Sequence, residues 1–85
     1  MAHYEIVFRK SVAKDLRGLP ARDVQMILKA VDSLRTDPRP QQAEKLTDRE
    51  QYRLRQGRYR VLYEVLDKGL IITVVKVAHR RESNR

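Results

Sequence analysis

Cysteine is absent from the 85 residues, and that removes a disulfide framework, a thiolate metal site and a cysteine nucleophile together. Its absence fits a reducing compartment. Histidine occurs twice, too rarely to complete a structural zinc site without thiolates, so no metal and no cofactor is expected. Long apolar runs are missing: nothing approaches the ~20 residues of a membrane span, and Met1 to Lys10 has no secretory apolar core. A cytoplasmic protein with no membrane partner is the expectation. There is also no internal repeat, low-complexity tract, HExxH, P-loop, GxSxG or dinucleotide fingerprint, so the usual metal, nucleotide and acyl-transfer chemistries have no footing. At this length residues 1–85 make one domain, with a single helix-plus-sheet layer pair.

Acid is the minority charge. Lys and Arg number 19 against 11 Asp and Glu, a formal net charge of +8, and the pI is near 10.3. Such a balance points to a polyanionic partner, because neutralised phosphates release counterions, although basic charge also serves plain solubility. The location of the charge decides. Residues 1–43 hold 8 basic and 5 acidic residues, and residues 44–85 hold 11 and 6. Between Gln51 and Tyr63 there are four arginines and no acid.

Alternation of Tyr4, Ile6 and Phe8 against Glu5 and Val7 predicts a strand with one buried face. Ser11 is placed to cap a short helix with the stripe Val12, Leu16 and Leu19, stopped by Gly18 and Pro20. Val24, Ile27, Leu28, Val31 and Leu34 make one stripe of a helix over about 21–36, which Asp37-Pro38-Arg39-Pro40 ends. The short link between them makes an antiparallel hairpin. Pro38 to Gln51 reads as a polar loop. Three strands follow at Tyr52–Arg55, Arg58–Val65 and Leu70–Ala78, with turns at Gln56-Gly57 and Lys68-Gly69. The last is almost continuously apolar and belongs inside the sheet. The order is β-α-α-β-β-β, an α+β fold with the helical hairpin on one face of a small, mainly antiparallel sheet.

A two-residue loop at Gln56-Gly57 sets Arg55 opposite Arg58 and Arg53 opposite Arg60. All four then share one face, while Tyr52, Leu54, Tyr59, Val61 and Tyr63 take the other. A loop at Gly57-Arg58 still groups Arg53, Arg55 and Arg60. Like charges facing each other across strands are destabilising, and such local conflicts mark functional sites. A guanidinium donates two parallel hydrogen bonds to one phosphate. The competing account is a solvated face, or ion pairs to Glu44, Asp48 and Glu50. Fixed arginines can stabilise a phosphorane without metal, and RNA brings its own 2′-OH nucleophile. Imidazole suits proton transfer near neutral pH, which makes His79, beside Arg80 and Arg81, the acid/base candidate. A surface histidine at a strand end is the plainer reading.

The segments Tyr52-Arg53-Leu54-Arg55-Gln56-Gly57-Arg58-Tyr59-Arg60-Val61-Leu62-Tyr63-Glu64-Val65 and Val75-Lys76-Val77-Ala78-His79-Arg80-Arg81-Glu82 resemble the RelE/ParE toxin superfamily, the RelE branch most closely. Glu44-Lys45-Leu46 resembles the family's "KL" ahead of its second strand. The resemblance implies a RelE-like fold and the toxin of a type II toxin–antitoxin system. It further implies a metal-independent endoribonuclease that cuts mRNA in the ribosomal A site, and a cognate antitoxin that neutralises it. Operator DNA would be met only through the antitoxin complex. By position, Arg60 and Arg80 would stabilise charge at the scissile phosphate, with His79 as the proton-transfer candidate. Lys45, Arg53, Arg55, Arg58, Arg81 and Asn84 would contact RNA. Asn84 is a departure: relatives often end H-R-R-x-V-Y-R, and asparagine neither stacks like a phenol nor transfers protons. The alternatives are a ParE-like inhibitor of DNA gyrase, or a catalytically weak partner acting in antitoxin binding and operon autoregulation.

Overall fold

The computed structural model describes residues 3–46 and 50–79. In chain order it contains β1 (Glu5–Phe8), α1 (Lys10–Arg17), α2 (Ala21–Ser33), β2 (Ala43–Lys45), β3 (Gln51–Gln56), β4 (Tyr59–Leu66) and β5 (Ile71–His79). One five-stranded sheet runs β1-β5-β4-β3-β2. Only the β1–β5 pair is parallel. Both helices lie on one face, as expected, and β5 is an interior strand. The segment expected to be wholly polar loop contributes an added strand, β2, of three residues.

Alternation along the strands builds the core. Tyr52 and Leu54 of β3, Tyr59, Val61, Tyr63 and Val65 of β4, and Ile72, Val74 and Val77 of β5 are buried on the helix side. They meet Val12 of α1 and Ile27, Val31 and Leu34 from α2 and its C-terminal end. The α2 stripe is narrower than its sequence suggests, since Leu28 stays exposed. Phe8 is 44 % exposed as well, because β1 is the sheet edge and the hairpin does not cover it there. No helix among the described residues is long and apolar enough to cross a membrane.

Two local devices correct the expected boundaries. Ser11 does not cap α1; Arg9 holds that position. Instead α1 protects the part of β5 that outruns β1, whose pairing ends at Phe8 opposite Val74. Asp15 Oδ2 accepts a hydrogen bond from the Val77 amide at 3.1 Å, and the Ser11 hydroxyl reaches the Val75 carbonyl at 3.5 Å. These contacts occupy backbone groups that a bare edge would leave open. The β4–β5 turn spans Asp67 to Leu70 between the paired Leu66 and Ile71, and Leu70 takes a positive φ of 53°.

The connector from α2 to β2 is tied down by Arg39. Its guanidinium donates to the Tyr52 hydroxyl at 2.7 Å, Asp67 Oδ2 at 2.8 Å and Glu50 Oε2 at 3.2 Å. Tyr52 also donates to Glu50, and Tyr4 to Asp67, each at 2.7 Å. Tyr63 stacks on Tyr52 with ring centroids 5.6 Å apart and donates to the Pro38 carbonyl at 2.7 Å. Burial pushes the Tyr63 phenol well up, and the hydrogen bond from Tyr4 to Asp67 raises Tyr4. This clasp fixes the end of the sheet opposite the β3–β4 turn.

Candidate nucleic-acid interface

The face of the sheet away from the helices carries the arginines. Gln56 pairs with Tyr59, so the two-residue loop is Gly57-Arg58, not Gln56-Gly57. Backbone geometry decides it: the first loop residue has φ near +59°, which glycine adopts without a side-chain penalty. Arg55 therefore stands directly opposite Arg60, and Arg53 opposite Leu62. The β2 register sets Glu44 opposite Arg53, and the β5 register sets Lys76 beyond Leu62. One row thus reads Glu44, Arg53, Leu62 and Lys76, and its neighbour reads Arg55, Arg60 and Ala78. Glycine at 57 keeps the two rows in register.

Glu44 is the acidic group of these rows. Its Oε2 lies 2.7 Å from an Arg53 terminal nitrogen, and its Oε1 lies 3.7 Å from one of Arg55. The hydrogen bond and charge of Arg53, with the fields of Arg55 and Arg60, hold the Glu44 carboxyl below its usual range. Arg53 is only 25 % exposed, and its Nε is buried with no acceptor among the described residues. Its stem therefore lies on the sheet, and a terminal nitrogen is held on Glu44. Arranged in this way, several guanidiniums on a flat surface fit a run of phosphates better than a single small anion.

Other expected residues are placed elsewhere. Lys45 lies on the helix side, opposite Tyr52, with its Nζ 3.8 Å from Glu50. Arg58 leaves the rows for the turn, where it lines a cleft of about 430 Å³ with Asp23, Met26, Ile27, Gln56, Gly57 and Tyr59. His79 pairs with Tyr59 and so also falls on the helix side. Its ring sits edge-on to that of Tyr59 at 5.4 Å and 81°, and the Tyr59 hydroxyl donates to Asp23 Oδ2 at 2.6 Å. Arg80, Arg81 and Asn84 lie outside the described residues. Among those described, no three His, Cys, Asp or Glu side chains gather as a metal site.

Lys76 is a member of the rows that the sequence reading does not single out. Lys76 was legible in principle, since it is the lone charge in an apolar strand. The ion pairs expected from Glu44 to the arginines are present. The β4–β5 ladder also slips between Leu62 and Tyr63, and this bulge sets the phase that brings Lys76 to the open face.

Comparison with known proteins places this geometry. The family model described as the ParE toxin of type II toxin–antitoxin system, parDE, matches residues 6–84. A Methanocaldococcus jannaschii protein named as a candidate toxin, RelE1, is 31% identical over 81 residues, which cover 91% of this chain and 90% of that protein. The crystal structure of the archaeal RelE–RelB complex from Pyrococcus horikoshii matches with a TM-score of 0.79 at 32% identity, covering 94% of this chain and 97% of that one. The toxin–antitoxin complex RelBE2 from Mycobacterium tuberculosis gives 0.79 at 26% identity, over 92% and 99%. A free variant of the E. coli toxin RelE gives 0.80 over 99% and 90%. At 23% identity, that last likeness is one of fold.

Proposed function

The chain belongs to the RelE/ParE toxin superfamily of type II toxin–antitoxin systems, and from that premise we propose that it is a ribosome-dependent endoribonuclease cutting mRNA in the A site. The observation that carries this reading is the direct opposition of Arg55 and Arg60 on the open face, with Arg53 beside them. Opposed like charges lower stability by about 0.2–1 kcal/mol relative to neutral pairs. An RNA backbone reverses the sign of that term. The chemistry needs no metal. The RNA 2′-OH attacks the adjacent phosphorus, the bond to the 5′ oxygen breaks, and a 2′,3′-cyclic phosphate and a 5′-OH result. Arg60 stabilises the developing phosphorane charge, while Arg53 and Arg55 hold the flanking backbone. Arg80 joins Arg60 in this role by its place in the family motif.

Proton transfer is the weak point of the site. His79 faces Tyr59 on the helix side, away from the arginine rows. Ribosome dependence fits this placement, because a template that fixes the 2′-OH in line contributes by positioning where His79, among the described residues, is turned away from the rows. The relatives solved as RelE–RelB and RelBE2 complexes support a cognate antitoxin for this chain, with operator DNA reached only through that complex. The match to a ParE model and Asn84 at the family's tyrosine position favour a second reading, inhibition of DNA gyrase. Induced expression separates the two. Wild-type chain is expected to stop amino-acid incorporation before any change in DNA supercoiling, and Arg60→Ala or Arg80→Ala to abolish the arrest while antitoxin binding persists. Arrest that survives both substitutions would exclude the ribonuclease.

A further inference from the structure

Glu44 occupies the surface that RNA would need. It projects from the edge strand β2 onto the open face, directly opposite Arg53, and it is 54 % exposed. Its two oxygens are divided between two guanidiniums, at 2.7 Å from Arg53 and 3.7 Å from Arg55. Two non-bridging oxygens of a phosphodiester can make the same contacts, because carboxylate and phosphate offer a guanidinium the same fork of acceptors. Building on the ribonuclease reading, we propose that Glu44 is an internal competitor for RNA phosphate. It holds the anion position between Arg53 and Arg55 in the free toxin, and RNA enters by displacing it.

Release needs only a rotamer change of a solvent-exposed side chain, while Ala43 stays packed on the core. The other chemistry open to a carboxylate here is general base for the 2′-OH. A base works best with a pKa near the working pH, and Glu44 is displaced the other way by Arg53. One of its oxygens also accepts a hydrogen bond from Arg53 at 2.7 Å. Competition has a functional consequence. A chain of net charge +8 binds polyanions indiscriminately. An internal anion weakens every such encounter, so that a strand presented at high local concentration, as on the ribosome, is favoured over free RNA.

The test uses a labelled single-stranded RNA with 2′-O-methyl riboses, which cannot be cleaved, and fluorescence anisotropy across a salt series. Glu44→Gln and Glu44→Ala are expected to bind about fivefold more tightly than wild type near ~50 mM salt, with the gap closing as screening rises. Their plots of log K against log salt should be steeper by about 0.7, one further single-strand phosphate contact. Equal or weaker binding by both variants, with wild-type thermal melts, would overturn the proposal. Unchanged affinity with slowed cleavage on ribosomes would overturn it too, and assign Glu44 to proton transfer. If wild type and variants all fail to bind at low salt, the RNA reading itself falls and the competitor role goes with it.

Discussion

Two arginine assemblies sit at opposite ends of the same sheet, and they are built in opposite proportions. At one end Arg39 donates to Asp67, Glu50 and Tyr52, Tyr4 and Tyr52 donate to the same two carboxylates, and the group fastens a connector. At the other end Arg53 and Arg55 turn to one carboxylate, Glu44, and Arg55 faces Arg60 across the ladder. The first arrangement is complete within the fold. The second sets Arg55 opposite Arg60, with Arg53 beside them, around a single carboxylate. Net charge separates the two ends as well: one guanidinium meets two carboxylates at Arg39, whereas two guanidiniums meet one carboxylate at Glu44.

Removing one arginine from each group separates their roles. Arg60→Ala should lower the cleavage rate on programmed ribosomes by about 10²- to 10³-fold, the usual loss of a transition-state donor, with little change in the melting temperature. Arg39→Ala should do the reverse. Urea titration is expected to show a loss of about 1–2 kcal/mol, a figure kept low because the Arg39 side chain is 37 % exposed. Cleavage per folded molecule should persist.

Acid sharpens the contrast. The Arg39 and Tyr4 hydrogen bonds hold Asp67 below its usual value, and Tyr52 and Arg39 do the same for Glu50. A depressed folded-state pKa contributes stability above the unfolded value, about 4, and loses it as pH falls through the folded value. Melting temperature should therefore drop on acidification below about pH 4, and Asp67→Asn should flatten that fall. The smallest effect is the most diagnostic. Arg55→Gln removes the opposed charge and should raise stability by about 0.3 kcal/mol while weakening RNA binding. Such opposite signs in denaturation and anisotropy are what a functional strain produces.

Much of this was legible in the sequence because one physical rule governed it. Period-2 alternation through Tyr52–Val65 separates arginines from core residues whichever two-residue turn is chosen, so Arg53, Arg55 and Arg60 were grouped before their register was known. Composition accepts both Gln56-Gly57 and Gly57-Arg58 as loops, so it does not place Arg58. The positive φ at Gly57 and the Gln56–Tyr59 pair resolve the choice. β2 gave no signal, since three residues with one small apolar side chain show no period. The clasp was invisible for another reason: Tyr4 and Asp67 are 63 positions apart, and only tertiary structure brings them to Arg39. Sequence neighbours set His79 beside Arg80 and Arg81, whereas strand phase turns it toward Tyr59.

Primer extension on stalled ribosomes shows whether the open arginine rows cleave RNA. Purified chain, Arg60→Ala and Arg39→Ala are each added to ribosomes programmed with an open A site. New 5′ ends within the A-site codon from wild type and Arg39→Ala, none from Arg60→Ala and none on naked mRNA, are the predicted result. Equal cutting by Arg60→Ala, or no cutting by any folded chain, would contradict it.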